Sequence, residues 1–522
     1  MSYFDPMFMF LFLPVVLLVY QIAGRKLRKV VLLLANTAFF VVTSKQLIIW
    51  LAAVIVVMYI AGLLLAKTDE AYANGRSAQK SNKERKKEKT RYKRLILTAG
   101  IGIPMGILIV LKYSGFILTN INALTGASFN VPAFLLPIGI SFYTLQAVSY
   151  QVDVYRGTIK ADRNLLRVAL YMSFFPQIME GPIARYAQTA EALYAGEPIK
   201  EKNLAFGTQR FIWGMFKKFV IADRLAPAVT AVFDGYAGYS GSVILFGAVV
   251  YTLQLYMDFS GCIDMTIGIG EMFGVTIPEN FRQPFFSRSA SEFWRRWHIT
   301  LGAWLKEYIF YSVSLAKPVK KIGKATKEKI GKHLSGWIPM TIALFCVWIF
   351  NGFWHGSDWQ YLIYGMYYFV LISLGNLLEP VFVKLLTGLH LNREKNGYKV
   401  WQLIRTLVII ITGEMFFNAN SLSDGFAMFG RIFTDFNPAD IGSGVILGLG
   451  LKWQEWLIVA LSLVVALIVD IMHEKGMHLR ERIAAFKLPA RWTVYYAAIF
   501  AVIIFGAYGA GHTVIDIIYA GF

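Results

Sequence analysis

The sequence predicts an all-α protein that crosses a membrane many times, and three observations lead to this prediction. Hydrophobic residues make up 56% of the 522-residue chain and charged residues only 16%, whereas soluble domains hold about 25% charged residues. Aromatic residues reach 15%, as expected where Trp and Tyr anchor a protein at membrane interfaces. Apolar segments follow one another along the chain, and several approach the ~20 residues that cross a bilayer.

The apolar segments suggest how the chain is organised in the bilayer. Segments 30–44 and 165–180 are short, so we expect half-helices or re-entrant stretches. Non-helical backbone survives at membrane depth only in protein or beside a wet cavity, which predicts a bundle with an internal cavity. Pro176, Gly181 and Pro182 are expected to break a helix. The segments are 7–23, 30–44, 46–66, 95–118, 134–150, 165–180, 205–222, 240–257, 262–275, 338–354, 359–380, 400–418, 452–471 and 491–510.

Basic residues cluster in short runs between the apolar segments and set the expected orientation. The net charge of +20 therefore indicates cytoplasmic loops beside a lipid bilayer, and we predict no nucleic-acid partner. Residues 67–94 hold eleven Lys or Arg against four acids, which predicts a basic cytoplasmic loop. Another basic cluster, 25–29, follows the first apolar segment, whereas a signal peptide has its positive charges in front. The N-terminus is thus predicted outside, with a tight outer turn near Ser44 and Lys45.

Several common motifs do not occur in the sequence. It contains neither the phosphate-binding G-x-x-x-x-G-K-[ST] loop nor the dinucleotide-binding G-x-G-x-x-G pattern. His473 and His478 are one residue too far apart for the zinc-binding pair of a helix, so we predict no metal. We find no internal repeat and no soluble domain, which predicts a single membrane domain over 1–522. Transporters often contain internal repeats, so the missing repeat also disfavours a proton-coupled transporter as an alternative function for this chain.

Two of the seven histidines lie in Trp-rich apolar sequence and are the candidates for chemistry. His298 ends the sequence FWRRWH, and His355 lies in NGFWHGS between Gly352 and Gly356, which leave room for a close neighbour. Ionisable residues at membrane depth are costly and usually face a cavity or a partner. Histidine is the natural general base near neutral pH, and a hydroxyl is a poor nucleophile until a base removes its proton. The alternative for each histidine is a packed, hydrogen-bonded side chain.

The sequence around His298 predicts a helix with one apolar face. The residues spaced to share that face are Trp294, His298, Leu301 and Leu305. Arg295 and Arg296 lie off it. They are candidates to hold phosphate groups of a donor cofactor or of lipid headgroups, and the alternative is anchoring at the interface without ligand specificity.

Three carboxylates also occur in apolar surroundings. Asp258 and Asp264 flank the sequence FSGCI, and Glu180 precedes Gly181 and Pro182. Each carboxylate needs a partner or a wet cavity. Two roles remain open: orienting a histidine, or pairing with an arginine for structural reasons.

Six motifs resemble the membrane-bound O-acyltransferase family, and they occur in the order of that family. Each alone is weak, but together they are highly specific. They are Leu136–Thr144 (LPIGISFYT), Asp153–Gly157 (DVYRG), Phe174–Gln177 (FFPQ) with Gly181–Ile183 (GPI), Asp258–Gly261 (DFSG), Phe293–His298 (FWRRWH) and Trp354–Gly356 (WHG).

The resemblance implies a fold and a division of the chain. The family fold is a ring of helices, here roughly 11–14 transmembrane and re-entrant segments, around a central funnel. The funnel joins a cytoplasmic donor to an external acceptor. The family-like core would span 8–370, and 371–522 would add C-terminal membrane helices. Within the family, the chain is most similar to the alginate O-acetyltransferase branch.

The resemblance also implies roles for particular residues. His355 would be the catalytic histidine, as general base or as a transient carrier of the acyl group, and His298 the second histidine of the site. Arg295 and Arg296 stay candidates for the donor phosphates. The candidates for the substrate or the funnel lining are Trp297, Trp354, Asp258, Ser260, Gln177, Glu180 and Asn351.

The expected activity is transfer of an acyl group, acetyl in our prediction, from a cytoplasmic donor across the membrane. Acetyl-CoA is the expected donor, and an extracytoplasmic or cell-wall polysaccharide the expected acceptor. The expected partners are an extracytoplasmic acyltransferase or the polysaccharide export machinery, in the plasma (inner) membrane of a bacterium. The alternative enzyme takes D-alanine from an acyl carrier protein for transfer toward teichoic acid.

Overall fold

The computed structural model describes residues 2–508, and these residues form helices, turns and loops without a β-strand. Eight helices of this part are long and apolar enough to cross a membrane. The chain is therefore an all-α, multi-pass membrane protein, as the composition predicts. The ring and the funnel stay predictions. The end of the predicted 491–510 segment, and the rest of 371–522 from residue 509, lie outside the described residues.

The structure falls into two compact units. The first comprises Met1–Phe211 and Met265–Pro278, and the second Ile212–Asp264 and Glu279–Phe522. The single domain over 1–522 stays a prediction. The helices are α1 Leu13–Ile22, α2 Arg25–Ser44, α3 Ile48–Ala73, α4 Asn82–Leu108, α5 Ser114–Thr125, α6 Ile140–Arg156, α7 Leu165–Ser173, α8 Phe175–Ile178, α9 Tyr186–Ala195, α10 Glu201–Met215, α11 Asp223–Asp234, α12 Gly241–Met272, α13 Ala290–Arg296, α14 Ile299–Trp304, α15 Tyr311–Ser314, α16 Lys317–His355, α17 Trp359–Gly388, α18 Asn396–Asn418, α19 Leu422–Thr434, α20 Ala439–Gly442, α21 Trp453–Glu474, α22 Leu479–Ala484 and α23 Leu488–Phe505.

Helix α2 of the first unit differs from the expectation of a half-helix over 30–44. The basic residues from Arg25 onward extend α2 to 20 residues, long enough to cross a bilayer. The predicted turn near Ser44 is present, because α2 ends there and Lys45 takes a left-handed φ of 49°. A short 3₁₀ turn over Lys45–Leu47 then leads into α3.

The short segment 165–180 is broken, as Pro176, Gly181 and Pro182 predict. Helix α7 ends at Ser173, and α8 lasts only four residues. The Tyr3 hydroxyl donates to the carbonyls of Phe175 and Pro176 at 2.7 and 2.9 Å. These bonds supply donors for carbonyl groups at the break, so the irregular backbone is stable although buried.

Helices α16 and α17 of the second unit form a closely packed pair that positions His355. Gly331, with φ of 80°, interrupts α16, and the apolar part that follows ends at His355. A Cβ atom on Gly365 of α17 would lie 2.4 Å from the carbonyl oxygen of Trp348, and one on Gly352 would lie 2.7 Å from that of Tyr361. Glycine is therefore required at both contacts, which bring the two backbones together.

The glycine contact gives a matched pair of substitutions in α17. Gly365→Ala forces a methyl group against the Trp348 carbonyl and should lower the free energy of unfolding by about 1–3 kcal/mol. Gly375→Ala introduces the same methyl group where no atom lies within 4 Å. It should be neutral or stabilising by up to about 1 kcal/mol. Thermal unfolding in detergent measures both, and equal melting temperatures would contradict this account of the helix pair.

Candidate active site

The second unit places His298 at a break between two short helices, and this corrects the predicted helical face. Trp294, His298, Leu301 and Leu305 do not share one helix, because α13 ends at Arg296 and α14 begins at Ile299. His298 lies between them with φ of 46° and ψ of 50°, in the left-handed region. A histidine is uncommon there, and such local strain is concentrated at functional sites.

Asn280 causes the break by satisfying the first backbone donors of α14. Its main-chain carbonyl accepts from the Ile299 N–H at 2.9 Å, and its side-chain Oδ1 accepts from the Thr300 N–H at 3.0 Å. These N–H groups have no partner inside their own helix, so a cap from elsewhere in the chain stabilises the helix start. Asn280 is fully buried, and the sequence analysis missed it because it lies 18 residues before His298.

The same oxygen of Asn280 determines which nitrogen of His298 carries the proton. Because the Thr300 N–H can only donate, the Asn280 atom that faces it is the amide oxygen. His298 Nδ1 lies 3.2 Å from this oxygen and must therefore donate to it. The Thr300 hydroxyl donates to it as well, at 2.8 Å. In the neutral ring Nε2 then carries the lone pair and accepts hydrogen bonds.

Burial favours this neutral form of His298. The side chain is 1% exposed and lies outside the eight candidate membrane spans. Removal from water lowers the pKa of His298 from its usual 6.5 to about 3. His298 is therefore an uncharged ring near neutral pH, suited to accept a hydrogen bond rather than to balance a negative charge.

His355 is the last residue of α16, and aromatic rings surround its imidazole. The ring of Tyr364 lies 6.0 Å from it and that of Phe417 5.4 Å, both edge to face. His355 is 1% exposed. Asn351 precedes it by one helical turn, and its buried Nδ2 has no acceptor among the side chains and backbone groups that the structure describes. The prediction that Asn351 contacts the substrate is compatible with this placement and stays a prediction.

Trp354 joins the two histidines in one cluster. Its ring lies 5.3 Å from that of His298 and 5.0 Å from that of His355. The ring of Phe259 also packs edge to face on His298, with 5.0 Å between ring centres. The structure thus brings together the two histidines and Trp354, which the sequence analysis selected separately. Trp297 is buried nearby in the chain, stacked on Phe293 at 5.3 Å.

Asp258 pairs with a buried lysine of the same unit. Its Oδ1 lies 2.7 Å from Lys218 Nζ, and Asp223 Oδ1 lies 2.8 Å from the same nitrogen. The open alternative of pairing with an arginine is thus replaced by pairing with a lysine. Because Asp258 precedes Phe259 directly, the ion pair fixes the part of α12 that contacts His298.

Ser260 and Asp264 share the neighbouring lysine. Lys217 Nζ donates to Ser260 Oγ at 2.8 Å and lies 2.6 Å from Asp264 Oδ2. Both lysines belong to a π-helical turn, Phe216–Ala222, a conformation often found at functional sites. The sequence analysis missed both lysines, although two adjacent charges in an apolar segment were a visible signal.

The two arginines of the FWRRWH motif differ in their surroundings. Arg296 forms a two-pronged contact with Glu474, at 2.7 and 3.0 Å, and a further ion pair with Glu292 at 2.9 Å. Arg295 is exposed. Of the two donor-phosphate candidates, Arg295 has the more accessible side chain, and the role of both stays a prediction.

Gln177 and Glu180 belong to the first unit, in the broken segment after α8. Both are buried, with 4% and 1% exposure. Gln177 Nε2 donates to the carbonyl of Pro182 at 3.1 Å, across the turn that the prolines create. This bond gives Gln177 a structural partner, and a role in the funnel stays a prediction for both residues.

The chain belongs to the membrane-bound O-acyltransferase family. The model of this family matches residues 35–326, which include His298, whereas His355 follows the matched region. The chain is therefore an O-acyltransferase that resides in a lipid bilayer.

Three relatives show which members of the family the chain resembles. It is 31% identical over 456 residues to a probable alginate O-acetylase of Pseudomonas putida. This match covers 86% of this chain and 84% of that protein. It is 30% identical to a peptidoglycan O-acetyltransferase of Helicobacter pylori, over 71% of this chain and 69% of that one. A teichoic acid D-alanyltransferase of Bacillus subtilis is 29% identical over 46% of this chain and 59% of its own length.

The lowered pKa of His298 predicts a loss of stability in mild acid. Above about pH 6.5 His298 is neutral in the folded and unfolded chain, so its contribution is constant. Between pH 6.5 and about 3 only the unfolded chain takes up the proton, which lowers the free energy of unfolding by about 1.4 kcal/mol per pH unit. From pH 7.5 to 5.0 the loss is about 2 kcal/mol.

The measurement compares wild type with His298→Gln, which cannot titrate. Melting in detergent at pH 7.5 and 5.0 should show a smaller acid-induced loss for the variant. His478→Gln is the control, because His478 is exposed and its removal should leave the difference between the two pH values unchanged. Equal losses for wild type and His298→Gln would contradict a buried, neutral His298.

Proposed function

We propose that this protein moves an acetyl group from cytoplasmic acetyl-CoA across the membrane, for O-acetylation of an extracytoplasmic or cell-wall polysaccharide. The observation that carries the proposal is the pair of buried histidines that both contact the ring of Trp354. A buried base near neutral pH is the group that transfer to a hydroxyl needs. The final acceptor would be reached with an extracytoplasmic acyltransferase or the export machinery as partner.

In this proposal His355 is the base and His298 orients the acceptor. His355 takes the proton of the acceptor hydroxyl while the hydroxyl oxygen attacks the thioester carbonyl. The carbon–sulfur bond breaks, and the proton passes from His355 to the leaving CoA thiolate. His298 Nε2 accepts a hydrogen bond, because Nδ1 is engaged with Asn280. A transient acyl group on His355 is the alternative course of the same transfer, with the acceptor attacking second.

The proposed acceptor follows from the kinds of relative that cover most of the chain. Two such relatives are a probable alginate O-acetylase and a peptidoglycan O-acetyltransferase, and both polymers are polysaccharides outside the cytoplasm. The D-alanyltransferase relative matches less than half of this chain. We therefore keep D-alanyl transfer from a carrier protein as the second candidate, with the donor as the distinguishing feature.

The proposed location is the bacterial plasma membrane with the N-terminus outside. The basic segment 67–94 supports this orientation, since basic loops stay on the cytoplasmic side. Its residues from 82 onward begin α4, and the Ser81 hydroxyl and Glu84 form a capping box at that start. In this orientation the donor reaches the protein from the side of residues 67–94.

The test is acyl transfer by purified protein in vesicles, with acetyl-labelled CoA added outside. Wild type should release label from CoA, and His355→Ala should lower the rate by about 10² to 10⁴-fold, because the base is removed. His478→Ala changes an exposed histidine and is expected to match wild type. Trypsin cleavage within 67–94 identifies the molecules whose donor side faces outward, and these should be the active ones.

Three results would count against the proposal. Equal rates for wild type and His355→Ala would remove His355 from the reaction. Activity confined to molecules protected from trypsin would reverse the orientation. Turnover with a D-alanyl-loaded carrier protein but not with acetyl-CoA would replace the donor and favour the second candidate.

A further inference from the structure

Helix α18 of the second unit contains a buried carboxylate that the mechanism above does not use. Glu414 lies within this candidate membrane span and is 2% exposed. Among the side chains that the structure describes, those of residues 2–327 and 331–508, no Lys, Arg or His forms an ion pair with it. An ionisable side chain in such a place is costly and by default functional.

The hydrogen-bond partner of Glu414 is a tyrosine that contacts His355. The Tyr364 hydroxyl donates to Glu414 Oε1 at 2.9 Å. The Tyr364 ring lies edge to face on the imidazole of His355, with 6.0 Å between ring centres. The carboxylate therefore fixes the rotation of a ring that forms one wall around His355.

The same turn of α18 supplies a second wall. Phe417 follows Glu414 by three residues, so the two share a helix face. The Phe417 ring lies 5.4 Å from the His355 ring and 5.0 Å from that of Tyr364. One helical turn thus holds the imidazole in two ways: directly through Phe417, and through the hydroxyl of Tyr364.

We propose that Glu414 is a positioning residue for His355, acting through the hydrogen bond to Tyr364, and that α18 completes the active site. This inference rests on the proposed role of His355. Helix α18 lies beyond the family match at 35–326 and within the predicted C-terminal addition 371–522. The addition is therefore part of the catalytic unit in this protein, rather than only a membrane anchor.

The proposal requires of Glu414 only an oxygen, at the position of Oε1, that accepts the hydrogen bond from the Tyr364 hydroxyl. Glu414→Gln keeps that oxygen and should retain the rate of wild type within about twofold, since an amide oxygen also accepts from a hydroxyl. Glu414→Leu and Tyr364→Phe each delete one side of the bond. Each should lower kcat by about 10- to 100-fold with KM for the donor unchanged, because the base is misplaced while donor contacts are kept.

Tyr367→Phe is the matched control. Tyr367 is also on α17, and its hydroxyl donates to the Ile409 carbonyl of α18 at 2.9 Å. Its substitution removes a hydrogen bond between the same two helices without touching a ring that contacts His355. Tyr367→Phe should lower the melting temperature about as much as Tyr364→Phe and leave kcat unchanged.

The double variant Glu414→Leu/Tyr364→Phe tests whether the two residues act as one unit. Its kcat should equal that of the slower single variant, because either substitution already deletes the bond. Three outcomes would each overturn the inference. The kcat of the double variant could fall by the product of the two single losses. Glu414→Gln could lose as much kcat as Glu414→Leu, or Tyr364→Phe could keep the wild-type kcat.

A second readout works without any acyl donor and so separates this inference from the proposed function. Selective ¹³C-histidine labelling gives NMR signals from only seven histidines, and His355→Gln identifies the one from His355. That signal should shift or broaden in Tyr364→Phe and Glu414→Leu, but not in Glu414→Gln or Tyr367→Phe. An unchanged signal in all four variants would overturn the inference even if acetyl-CoA is the donor. A changed signal in a protein that does not use acetyl-CoA would leave it standing and reject only the donor.

Discussion

One amide oxygen, Oδ1 of Asn280, is the constraint on which the site around His298 depends. It accepts from the Thr300 N–H, the Thr300 hydroxyl and His298 Nδ1. The same oxygen therefore caps the start of α14 and determines the tautomer of His298. In a buried site each polar atom without a partner costs free energy, and a shared acceptor meets three needs with one side chain. The left-handed backbone of His298 is stable because these bonds compensate for its strain.

The cluster around the two histidines combines this polar anchor with aromatic packing from distant parts of the second unit. Trp354 contacts both histidines, and Tyr364 and Phe417 enclose His355. The aromatic rings pack against both imidazoles without supplying charge, and burial keeps the His298 ring neutral. The close contact of α16 with α17 then determines where the cluster lies, because His355 ends one helix and Tyr364 belongs to the other.

The sequence predicted those features that depend on neighbouring residues. Composition and apolar segments predicted the all-α membrane class, proline and glycine predicted the break in 165–180, and the turn at Ser44 followed from the charges on both sides. The break at His298 was missed, since its cause, Asn280, is distant in sequence and no Pro or Gly marks the place. The Lys218–Asp258 pair and the Glu414–Tyr364 bond join residues 40 and 50 positions apart, which periodicity cannot relate.

In the proposed mechanism His298 and His355 serve one reaction. The most direct test of this joint role is single-turnover acyl transfer, with protein in excess over labelled donor so that slow residual transfer stays measurable. The variants are His298→Gln, His355→Gln and the double substitution. Residues that act as a unit give non-additive losses, so the account predicts a double variant as fast as the slower single variant. A rate reduced by the product of the two single losses would mean independent roles and would contradict the account.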